Sequence, residues 1–112
     1  TSVLDHGFVE QHTVGLEEYA ANLRATPWSD LEEATGLTEA QIREVAEMLL
    51  DSDRTIVAWA MGLTQHKHAV ATIKEIVNLV LLQGNLGRPG AGLLPVRGHS
   101  NVQGDRTMGI FE

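Results

Sequence analysis

Seven of the eleven glycines crowd into residues 84–109, a stretch that also holds Pro89 and Pro95. No helical or alternating period survives there, because glycine leaves the backbone free and proline removes a hydrogen-bond donor. The regular structure of the chain is therefore expected before residue 84, with an irregular last quarter. Irregular stretches of that length inside a small domain are mostly functional.

Before residue 84 the patterns are clear. Residues 4–14 read as a short, weak helix interrupted by Gly7. Residues 15–25 read as a second, with Leu16, Tyr19, Ala20 and Leu23 on one face. Pro27 ends it, since Thr26 is pushed out of the helical region. Ser29 is placed to cap a short helix through Ala34, with Gly36 at a left-handed C-cap position. Thr38-Glu39-Ala40-Gln41 is a capping-box pattern opening a helix over 39–51, with Ile42, Val45, Ala46 and Leu49 as its buried stripe. Thr55-Ile56-Val57-Ala58-Trp59-Ala60 is an apolar, β-branched run without alternation, the signature of a strand buried on both faces. Residues 61–67 read as a turn, and the nearly continuous apolar run over 68–83 as a buried helix.

At 112 residues the chain is one domain at most. It has no cysteine, which excludes a disulfide scaffold, a Cys-ligated zinc or iron–sulfur site and a thiol nucleophile within it. No apolar run reaches the ~18 residues of a membrane span. The start lacks both Met and a basic leader region, so the chain reads as a piece of a longer, cytoplasmic protein. Residues 1–53 carry a net −10 and residues 54–112 a net +3, which makes the overall −7. The acidic half is poorly suited to nucleic acid and reads as solvated helical surface. The basic, glycine-rich half suits a small anion.

Three stretches bear chemistry. The first is the strand followed by Met61-Gly62-Leu63-Thr64-Gln65-His66. Ligands of parallel α/β sheets sit beyond such strand ends. Gly62 permits close backbone approach, and Thr64, Gln65, His66 and His68 supply donors. With a single glycine it is no dinucleotide fingerprint, and an ordinary strand–helix turn explains it equally. The second, Gly84-Asn85-Leu86-Gly87-Arg88-Pro89-Gly90-Ala91-Gly92, reads either as an anion nest or as a helix cap and linker. It lacks the Gly-Lys-Ser/Thr of a phosphate loop. The third, Arg97-Gly98-His99-Ser100-Asn101-Val102-Gln103-Gly104, is a dense run of hydrogen-bonding side chains, suited to a polar ligand or to a surface loop. His66 and His68 are badly spaced for a helical metal site, and no metal ligand is assigned.

Taken together, the three stretches resemble the molybdopterin oxidoreductases, the superfamily that includes formate dehydrogenase catalytic subunits. The resemblance rests on Ala60 through His66, on Leu81-Leu82-Gln83 with the glycine-rich loop, and on Pro95-Val96 with the Arg97 run, in the family's order and spacing. It implies a molybdenum or tungsten ion held by two molybdopterin guanine dinucleotides. It also implies that Met61, Gly62 and Gln65 lie at dinucleotide-binding positions. Arg97 matches an arginine beside the metal that handles anionic substrate, and His99 a further pterin- and substrate-side position. Formate-active members usually carry Gln-Asn after Arg-Gly. His99-Ser100 is closer to a less characterised formate-dehydrogenase-like subgroup, some members of which are linked to acid resistance.

The family's metal-ligating residue and its [4Fe–4S] cysteines lie elsewhere in the subunit. The expectation is thus an α/β fold: a helix-rich fragment of a Rossmann-like cofactor-binding domain with a central strand near 55–60. It comprises an acidic helical segment (1–53), a strand–loop–helix (54–83) and a glycine-rich cofactor-binding region (84–112). Such a piece would be inactive alone, prone to self-association at its open sheet edges, and completed by the rest of the subunit and an electron-transfer partner. The rival is a non-enzymatic interaction module, or a small anion- or nucleotide-binding module.

Overall fold

A computed structural model describes residues 4–98, 104 and 107–109. The first half is helical, as its caps dictate. Helix α1 (His6–His12) starts at Asp5, whose carboxylate accepts the Phe8 N–H at 3.0 Å. Gly7 falls in its first turn and does not interrupt it. Helix α2 (Leu16–Ala25) stops at Thr26, and α3 (Trp28–Thr35) stops at Gly36, whose φ of 71° needs a glycine. The N-cap of α3 is Pro27, not Ser29, whose hydroxyl turns to the Asp30 carboxylate instead. Helix α4 (Glu39–Asp51) opens with both halves of the expected capping box: Gln41 N–H donates to Thr38 Oγ1, and Gln41 Oε1 accepts from Thr38 N–H.

The second half is a β–α–β crossover. Strand β1 (Ile56–Trp59) leads through a one-turn helix α5 (Met61–Thr64) into α6 (Ala69–Leu82). The chain then returns in β2 (Gly92–Pro95), parallel to β1 and in register Ile56↔Gly92 to Trp59↔Pro95. Two of these elements depart from expectation. One turn of helix lies inside the supposed 61–67 turn, and a strand lies inside the supposedly irregular last quarter. The fold class is α/β and helix-rich, with a two-stranded parallel sheet among the described residues.

The core is small. Val9, Ala69 and Val80 are the buried apolar side chains among the described residues. The chain exposes 8749 Å², where a compact globule of its mass exposes about 6,100 Å². Its radius of gyration is 16.2 Å against about 13 Å for a compact domain of this length. Strand β1 is not buried on both faces. Val57 and Trp59 are half-buried, but Ile56 is 57% exposed and Ala58 is open on the other face, next to Leu94 at 52%. The α4 stripe is only partly covered as well: Ile42 and Leu49 are half-buried, while Val45 and Ala46 are exposed. Among the described residues, no helix is long and apolar enough to cross a membrane.

Candidate functional site

Both parallel strands end at one place. Trp59 closes β1, Pro95 closes β2, and the Val96 N–H donates to the Trp59 carbonyl at 2.7 Å just past the ladder. Beyond these ends a groove of about 460 Å³ opens between α5, the first turns of α6 and the segment after β2. The carboxyl edge of a parallel sheet is where α/β folds place ligands, because connections diverge there and leave a crevice. Apolar walls come from Trp59, Ile73 and Val96, and polar atoms from Thr64 and Arg97.

The geometry sorts the expected site residues. Met61 and Arg97, 36 positions apart in the chain, line the same groove. Their segments touch: a Cβ built on Gly98 would lie 3.4 Å from Met61 Sδ. Arg97 is exposed, and no carboxylate among the described residues pairs with it. Gly62 and Gln65 belong to α5 and its C-cap but lie off the groove lining. A Cβ on Gly62 would meet nothing within 4 Å, and its φ is not left-handed, so neither space nor backbone demands glycine there. His99 lies outside the described residues, as do Ser100, Asn101 and Gln103. Thr64 was legible as a donor. Trp59 and Ile73 were not legible as groove walls, because their apolar runs read equally well as core.

The glycine-rich loop is the connector from α6 to β2, and several of its amides are taken up within the chain. The amides of Gly84, Asn85, Ala91 and Gly92 all donate to the chain's own carbonyls. Gly84, Gly87, Gly90 and Gly92 have positive φ and turn the chain from α6 into β2. Arg88 is spent on Asp53 at 2.8 Å, and Arg54 Nη1 donates to the Pro89 carbonyl at 3.3 Å. Gln83 Nε2 donates to the Leu49 carbonyl at 3.1 Å, tying the end of α6 to α4. Among the described residues no three His, Asp or Glu side chains converge as metal ligands.

A parallel crossover with a groove at its carboxyl edge, and there an arginine that no carboxylate of the described residues pairs, is an arrangement of the α/β class. No family model matches the chain. Individual proteins do match it, nearly end to end. An uncharacterised oxidoreductase of Mycobacterium tuberculosis is 55% identical over 99% of the chain, and protein YdeP of Escherichia coli 48% identical over 99%. Formate dehydrogenase H of Escherichia coli is 38% identical over 98%. The chain spans only 14–15% of the length of these three relatives. The resemblance to a segment of the formate dehydrogenase-type molybdopterin oxidoreductases therefore holds along nearly the whole chain, and two of these three relatives are named as an oxidoreductase and a formate dehydrogenase.

Proposed function

We propose that this segment builds part of the cofactor and substrate groove of a molybdenum- or tungsten-dependent oxidoreductase of formate dehydrogenase type. The observation that carries the reading is the meeting of Met61 and Arg97, from two separate motifs, at the carboxyl edge of a parallel sheet. The Rossmann-like sheet of such an enzyme would extend β1 and β2 on their free edges. Its apolar layers would cover Ile56 and Leu94, which accounts for the low compactness of the segment.

The groove fits the group implied. A molybdopterin guanine dinucleotide combines flat heterocycles with anionic phosphates. The donor set here combines apolar walls, Trp59 among them, with the Thr64 hydroxyl and a guanidinium that no carboxylate of the described residues pairs. Met61 is the lining residue that would hold the dinucleotide, with Gly62 and Gln65 beside it on the same short helix and its cap, and with Arg97 and His99 toward the metal and substrate. When bound, the group supplies a redox-active metal at which an oxygen atom, a hydride or electrons are exchanged with substrate.

The chain's own contribution is electrostatic and steric. The Arg97 guanidinium holds an anionic substrate by paired, charge-assisted hydrogen bonds and stabilises charge that develops during transfer. No carboxylate of the described residues competes for it. Once the rest of the subunit covers the groove, its apolar walls would exclude water and strengthen that interaction. The metal-ligating residue, the [4Fe–4S] cluster and the docking surface for an electron-transfer partner belong to the rest of the subunit, so the segment alone is inactive.

The test is molybdenum per subunit measured alongside turnover in the full-length parent. Arg97→Lys keeps the charge but loses the planar fork, so it retains metal and loses about 10²–10³ in rate. Gln65→Ala loses metal first. Full activity in a metal-loaded Arg97→Lys enzyme would leave Arg97 a surface cation.

A further inference from the structure

We propose that Met61 is a positioning residue for Arg97, acting through Gly98, and that its side chain is more than a wall for the dinucleotide. The inference rests on the reading of Arg97 as the substrate-side cation, although the contact itself does not depend on that reading.

Three observations support it. A Cβ built on Gly98 would lie 3.4 Å from Met61 Sδ and 3.6 Å from its Cε, so the thioether stands about a methyl's width from Gly98, and both residues line the same groove. The last backbone tie before Arg97 is the Val96 N–H to Trp59 carbonyl bond, and no hydrogen bond or ion pair of the described residues holds Arg97 or Gly98 beyond it. Among the described residues, the Arg97-Gly98 bend is thus tied to the ladder through Val96 and has the Met61 side chain beside it. Finally, Gly98 has no positive φ, unlike the glycines of the α6–β2 connection. Its constraint is size. A methyl group there makes ordinary van der Waals contact with the thioether, whereas a larger side chain collides with it.

Methionine suits the task because an unbranched, polarisable side chain can settle into an irregular gap. Met61 is 53% exposed, so its truncation removes little buried area and should leave overall stability almost unchanged. Its effect is therefore local, on the order of the turn that carries the guanidinium.

The experiment is nitrogen-15 relaxation on the 112-residue chain, with no cofactor and no turnover required. In Met61→Ala the Gly98 N–H order parameter should fall from near 0.85 to below about 0.6. Met61→Leu should keep it. Adding Gly98→Ala to Met61→Ala should recover much of the loss, because the new methyl grows into the vacated space, giving a strongly non-additive pair. An unchanged Gly98 order parameter in Met61→Ala, or effects that simply add, would overturn the proposal.

Gly98→Val is an independent probe. Its side chain must displace the thioether and shift the Met61 methyl resonance, and an unmoved resonance would count against the contact. Should Arg97→Lys leave the parent fully active while this coupling persists, the functional reading falls and the positioning role stands. Should the coupling be absent while Arg97→Lys inactivates, the reverse holds.

Discussion

Asp5 sits so close over Gly84 that a Cβ on the glycine would lie 2.5 Å from Asp5 Oδ2 and 3.0 Å from its Cβ. The same aspartate caps α1 through Phe8 N–H and donates its own backbone N–H to the Leu82 carbonyl at 2.9 Å. One residue thus closes the start of α1 and the end of α6, and the two helices are joined there.

Gly84→Ala is expected to cost at least about 2 kcal/mol. Part is the left-handed backbone at φ 62°, and part is the collision with Asp5. Asp5→Ala alone should cost about 1 kcal/mol as a lost cap. In the double variant the collision is gone, so the total should fall below the sum of the single costs. Urea midpoints of the four chains check this, and strict additivity would place Asp5 away from Gly84.

The two faces of β1 make opposite forecasts. Val57 is half-buried on the face it shares with Trp59, which lines the groove together with Ala69 and Ile73 of α6. An aspartate there is left unpaired against apolar neighbours, so Val57→Asp should destabilise by about 2–3 kcal/mol. Ile56 is 57% exposed on the other face, and Ile56→Asp should stay within about 0.5 kcal/mol in this chain. In the full-length parent, where a further layer is proposed over that face, Ile56→Asp should become costly too. Equal effects at both positions in the isolated chain would contradict the assignment of faces.

How much of this was legible follows from where each element draws its stability. Helix α4 was visible to the residue because Thr38 and Gln41 satisfy each other locally. Helix α6 was visible because a fourteen-residue run, ten of its residues apolar, is too long for a strand. Strand β2 was invisible. Gly92-Leu93-Leu94-Pro95 begins with a strand breaker and ends with another, and only the parallel partner, with Gly92 N–H on the Thr55 carbonyl, makes it a strand. The exposed face of β1 was misread for a related reason. An apolar run records burial in the whole assembled protein, and this segment supplies one covering layer.

The site was half legible. Met61 and Arg97 were reached through motif resemblance and meet in the groove. The Arg88 loop was only partly legible, because the sequence does not show that Arg88 pairs with Asp53, 35 positions away.

The final forecast concerns pH and the α2–α6 contact. The Tyr19 hydroxyl donates to Glu75 Oε2 at 2.6 Å across those helices. Burial, reinforced by the hydrogen bond and the negative charge of Glu75, pushes the Tyr19 hydroxyl up to about 12, while a bond with Asn78 acts the other way. The protonated form is the one the fold favours. Its contribution is therefore fully present below the unfolded value of about 10 and is lost as pH rises from there through about 12. The chain has one tyrosine, so the phenolate absorbance titrates this residue alone. The native midpoint should lie near 12 and fall to about 10 in concentrated urea. Glu75→Gln should lower the native midpoint part of the way, since the burial contribution persists. A native midpoint at the unfolded value would mean that α2 does not dock on α6 through this pair.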